Sequence, residues 1–145
     1  MIRPKALNSF STLIKSGNLH DLSLTIYYVS PFVFTNHPWS VDDLIRECEG
    51  QEIVVDGSDL GKYIDLLNQI GNTALIPVLE KSSYLDARIY YVFETEKRGK
   101  IFDVAMWSSD GGIFVSGLEV KGTNIFYDVI TPFLSEDAVK TLKNG

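Results

Sequence analysis

With a single cysteine, Cys48, this chain cannot form an internal disulfide, so packing and hydrogen bonds must hold it together. That thiol count suits a reducing compartment, and a cytoplasmic location is the expectation. No apolar run approaches the roughly 20 residues of a bilayer-spanning helix. The first 16 residues carry Arg3, Lys5 and Lys15 without an acid, but also without a continuous apolar stretch or a small-residue cleavage pattern, so no secretory leader is expected. There are two histidines, His20 and His37, neither with a second ligand at metal-like spacing, and no metal or cofactor is predicted. The glycine-bearing turns Gly57-Ser58-Asp59-Leu60-Gly61 and Asp110-Gly111-Gly112 lack both the Walker lysine and the dinucleotide fingerprint. No nucleophile elbow occurs. Bases meet aromatics only near Lys97-Arg98, which speaks against nucleic-acid binding. Paired carboxylates could serve a glycosidase-like hydrolase, but nothing in the spacing selects a pair.

What the chain does have is negative charge in one place. Between Asp42 and Asp65 stand eight acids and two bases, Arg46 and Lys62, a net of −6 that equals the charge of the whole molecule. The preceding 41 residues sum to +2 and the remaining 80 to −2. A local field of this sign attracts a basic partner and repels nucleic acid and anionic membrane.

Length, a hydrophobic content of 45% and an aromatic content of 12% describe one well-packed domain over residues 1–145, with no linker in between. Ala6, Leu7, Phe10, Leu13 and Ile14 recur at helical spacing between Pro4 and Gly17. Leu22, Leu24, Ile26 and Tyr28 alternate as in a strand that Pro31 ends or kinks. Ser40 and Asp43 form a capping-box-like start to a short helix that buries Val41, Leu44, Ile45 and Cys48 and closes at Gly50. Glu52 to Asp56 is a short strand. Ser58 then caps a second helix, with the stripe Leu60, Tyr63, Ile64, Leu67 and Ile70, ended by Gly71. Pro77 argues against a regular interior strand after it.

The second half is strand-rich. Ala87–Thr95 and Lys100–Trp107 flank a hairpin turn, Ser108–Gly112 is another turn, and Ile113–Val115 and Leu118–Val120 flank Ser116-Gly117. Phe126, Val129, Ile130, Phe133 and Leu134 return to helical spacing, interrupted by Pro132, with Ser135 capping a last turn. Helices first and a meander afterwards predict an α+β domain, an antiparallel sheet packed by several helices.

The acidic block has two readings. Asp42, Asp43 and Asp59 sit in first helical turns, where an acid complements the dipole by about 0.3–1 kcal/mol. Glu47, Glu49 and Asp65 lie off the apolar stripes, and Glu52 and Asp56 alternate with Ile53 and Val55. These residues form either a solvated face or a partner-binding surface of Trp39, Asp42, Asp43, Glu47, Glu49, Glu52, Asp56 and Asp59. Trp39, in the loop beside the block, is its best aromatic anchor or else a cap on the core.

A compact acidic α+β chain with an unpaired cysteine and a charged block from Asp42 to Asp65 resembles the small bacterial immunity proteins, including those of contact-dependent growth inhibition. The resemblance implies a non-enzymatic inhibitor that covers the active site of a cognate basic toxin, typically a nuclease, with acids standing in for phosphate charge. It implies a protein partner and no nucleic acid, membrane or small-molecule cofactor. The alternatives are a bacterial binding or structural domain of another kind, and a small hydrolase.

Overall fold

The computed structural model describes residues 5–17, 19–29, 38–48, 52–73, 75–78, 87–106, 112–121 and 124–143. Expectations on Pro4, Pro31, His37, Glu49, Gly50 and the turn before Gly112 fall outside the described residues. Helix α1 (Lys5–Ser16) buries Leu7, Phe10 and Ile14, which recur on one side. Gly17 ends it at a φ of 75°, a left-handed conformation in which its N–H reaches the Ile14 carbonyl.

One antiparallel sheet follows, built from β1 (Leu22–Tyr28), β2 (Glu52–Asp56), β3 (Ile89–Thr95), β4 (Gly99–Met106), β5 (Ile113–Val115) and β6 (Leu118–Val120). Its spatial order is β2-β1-β3-β4-β5-β6. The meander β3 to β6 forms because each strand alternates and each turn has the right chemistry. At Ser116 and Gly117 both φ values are positive (49° and 82°), as a tight two-residue hairpin connection requires.

The period-two pattern divides the sheet into two faces. Leu24, Ile26, Tyr91, Phe93, Phe102 and Val104 point to the first face and meet α1, where the Phe10 ring lies 4.7 Å from Phe93 and 4.8 Å from Phe102. The fully buried Tyr91 donates its hydroxyl to the Phe126 carbonyl at 2.6 Å, tying the sheet to α5 (Ile125–Asp128). Burial pushes this phenol well above its ordinary value, so it stays a donor. The second face carries Tyr27, Val92, Tyr90 and Ala105, which pack with Leu44 of α2 (Val41–Glu47) and with Cys48 at its C-cap.

Three local expectations need correction. Asp56, not Ser58, caps the second helix, accepting from the Asp59 N–H at 3.0 Å, and the helix starts at Gly57. The cause is distant in sequence: a Cβ on residue 57 would lie 1.7 Å from the Leu19 carbonyl oxygen, so glycine must make this approach. The helix is also not continuous. It runs as α3 (Gly57–Leu60), a 3₁₀ turn at Gly61–Tyr63 and α4 (Ile64–Asn72), passing Gly71 instead of stopping there. Gly71 faces the Ser11 backbone of α1, where a Cβ would stand 3.1 Å from Ser11 Cα; it permits helix packing. Ile45 is exposed, because Leu44 and Cys48, one turn apart, occupy the seam of α2 and leave Ile45 beside it.

Elsewhere the terminal region splits as Pro132 demands, into α5, a 3₁₀ turn at Thr131–Phe133 and α6 (Glu136–Lys143), with Ser135 Oγ accepting from the Ala138 N–H. No helix among the described residues is long and apolar enough to cross a membrane.

Candidate functional site

Of the acids of the block other than Glu49, which lies outside the described residues, several have local work. Ser40 and Asp43 form a true capping box: Ser40 Oγ accepts from the Asp43 N–H at 3.1 Å and the Asp43 carboxylate accepts from the Ser40 N–H at 3.0 Å. Arg46 pairs with Asp43 at 2.6 Å and lies 3.5 Å from Glu47. The Ser40 backbone hydrogen bond, helped by the Ser40 hydroxyl and by Arg46, holds the Asp43 carboxyl below its ordinary value. Asp42 is exposed on the first turn of α2. Asp59 pairs with Lys62 at 3.2 Å. Both cations of the block are thus spent on acids of their own helices.

These positions do not share one face. Helix α2 lies over the second face, whereas Leu60 of α3 belongs to the first-face core. Strand β2 runs between them at the edge of the sheet, so the block wraps round that edge. Trp39 is half-buried and stacks on the buried Arg88, whose guanidinium carbon is 4.8 Å from the ring centroid, while its carbonyl accepts from the Ala87 N–H. The ring therefore caps the second-face core.

On β2, Ile53 and Val55 pair with Ile26 and Leu24 and point inward, which turns Glu52, Val54 and Asp56 to the second face. Glu52 lies opposite Tyr27 and hydrogen-bonds its hydroxyl; partial burial first, then the charges of Glu52 and Glu94, raise that phenol. Tyr27 stacks on Tyr90 at 6.1 Å. Tyr90 in turn donates to Asp103 at 2.8 Å, and Asp103 also accepts from Lys100 at 3.1 Å.

At the other end of β2 the register sets Asp56, Ser23 and Glu94 in one row across β2, β1 and β3. Asp21 and Glu96 stand just beyond the strand ends, joined by a Glu96 N–H to Asp21 carboxylate hydrogen bond of 3.0 Å. Together they rim an open depression of about 590 Å³ with His20 and Lys97 at its border. Four carboxylates (Asp21, Asp56, Glu94, Glu96) against one lysine give this basin a negative lining. Of these, sequence reasoning had selected only Asp56. Asp21, Glu94 and Glu96 come from segments that lie outside the acidic block, and only the strand register reveals their meeting.

A second feature lies on the outer side of β2. A groove of about 290 Å³ runs along it, lined by Ile53, Val54, Val55, Tyr63 and Phe133, with the Asp59–Lys62 pair at its rim. The two rings meet edge to face at 5.1 Å and form its far wall. Val54, in the middle of the strand, is 65% exposed.

Among the described residues no group of three or more His, Cys, Asp or Glu side chains is placed to hold a metal ion. Cys48 is buried against its own helix, its sulfur 3.5 Å from the Ile45 carbonyl. No protein-family model, no curated protein and no solved structure matches the chain.

Proposed function

We propose that this chain is a non-enzymatic binding protein of the immunity type, which neutralises a basic protein toxin, a nuclease by the resemblance, by occupying its cationic substrate site. The observation that carries the reading is the basin of Asp21, Asp56, Glu94 and Glu96, contiguous through Asp56 with the acidic strand β2. Carboxylates spread over an open depression imitate the charge of a polyanion without offering a reactive centre. They speed encounter with a basic surface and exclude the partner's own nucleic acid from it. The chain itself acts in the cytoplasm, where it meets a toxin before damage is done.

The test is capture by the tagged protein from the source cells at low and high salt, followed by kinetics with the purified captive. The expected result is one basic protein, bound one to one and inhibited, whose association slows by at least about tenfold in high salt and for the Glu94→Gln/Glu96→Gln variant. Binding indifferent to both salt and these substitutions overturns the proposal.

A further inference from the structure

Among the described residues, the outer edge of β2 is left without a pairing strand. Backbone groups alternate along a strand, so half of the N–H and C=O groups of β2 bond β1 and the other half point outward. Among the described residues no strand pairs with that outer side. Edges left in this state are templates for another chain. Here the template comes with a receptor for side chains, because the groove floored by Ile53 and Val55 and walled by Tyr63 and Phe133 runs directly alongside. A strand added about 4.8 Å from β2 would drop alternate side chains into this groove and raise the others beside Glu52, Val54 and Asp56.

Charge decides which strand fits. A second copy pairing antiparallel about Val54 would set Glu52 opposite Asp56 and Asp56 opposite Glu52, and a parallel copy would set each acid beside itself. Like charges directly opposite are destabilising in a sheet. An extended segment with basic residues on one face and apolar residues on the other meets both requirements at once. We infer that β2 is a docking edge for such a segment of the basic partner, which joins the sheet as a seventh strand, its apolar side chains in the Tyr63–Phe133 groove and its bases against Glu52 and Asp56. The inference rests on the basic-partner reading and adds its mode of recognition: main-chain hydrogen bonds for affinity, alternation for specificity.

The experiment uses the whole isotope-labelled protein and two synthetic peptides of equal charge. One alternates lysine and valine (KVKVKVKVK); in the other, prolines replace two valines (KVKPKVKPK) and strand pairing is blocked. The expected result is that the alternating peptide slows hydrogen exchange at the outward β2 amides, shifts the Tyr63 and Phe133 ring resonances, and binds about tenfold or more tightly than the proline peptide. Val54→Lys, at an exposed position that leaves the fold intact, abolishes this protection. If both peptides bind equally, shift Asp21, Glu94 and Glu96, and leave β2 exchange unchanged, strand addition is wrong while the basic-partner reading stands. If neither peptide binds even at low salt, both fall together.

Discussion

At β6 the outermost backbone of the sheet is tied down: Val78 donates to the Glu119 carbonyl at 3.1 Å, Lys121 donates to the Ile76 carbonyl at 2.7 Å, and Pro77, which has no N–H to offer, bridges to Val120. At β2 the corresponding row meets no described neighbour, and the central valine is 65% exposed where Val120 is 3% exposed. Both edges are protected from promiscuous pairing, by different physics. A strap covers β6, so nothing can pair there. Two like charges, Glu52 and Asp56, flank Val54 on β2, which disfavours pairing with another acidic strand. Cover is indiscriminate, whereas charge is selective, and among the described residues β2 has only charge as its guard.

The contrast can be broken at several points. The largest effect is expected from Gly57→Ala. The open edge keeps its position because α3 folds back against Leu19 straight after β2, and a methyl group at 1.7 Å from that carbonyl oxygen cannot be accommodated without moving backbone. A loss of about 3 kcal/mol in denaturant unfolding is expected. Paired truncations at the two edges come next: Val120→Ala should cost about 2 kcal/mol, as a buried core position does, and Val54→Ala less than about 0.5 kcal/mol. Equal losses would mean that β2 is covered after all. Val78→Pro removes the donor that closes β6 and should cost about 1 kcal/mol; sedimentation at high concentration should then show self-association through the opened edge.

An effect of similar size is expected in the Ser40–Asp43 capping box. Ser40→Ala should lower stability by about 1 kcal/mol. Because the folded Asp43 carboxyl lies below its ordinary value of 3.8, its contribution is complete above that value and fades as pH falls through the lower, folded one. An NMR titration should find Asp43 protonating below 3.8, with the shift reduced in Ser40→Ala.

Where signals are local, the sequence was legible. The meander strands at Ile113–Val115 and Leu118–Val120, the Ser40–Asp43 box, the Pro132 break and the Ser135 cap all follow from residues within a few positions of one another. The α+β class followed from their order. What stayed hidden depends on contacts between distant segments. The cap at Asp56 is imposed by Leu19, and Gly71 is small because Ser11 passes close by. The basin exists only because β1 lies between β2 and β3, an order in which chain neighbours are not always sheet neighbours, so Glu94 joins Asp56 across Ser23. The exposure of Val54 likewise follows from a strand being outermost, which alternation cannot reveal. The acidic block was visible as a block, but its division across an edge was not.

One consequence concerns time. Cys48 is the chain's one thiol and is 4% exposed beneath α2. A modifying reagent reaches it when that short helix lifts from Tyr90, Val92 and Ala105, so the labelling rate under native conditions is a clock for this motion. With no second thiol to confuse the count, every label added records one opening of the layer that covers the sheet's second face.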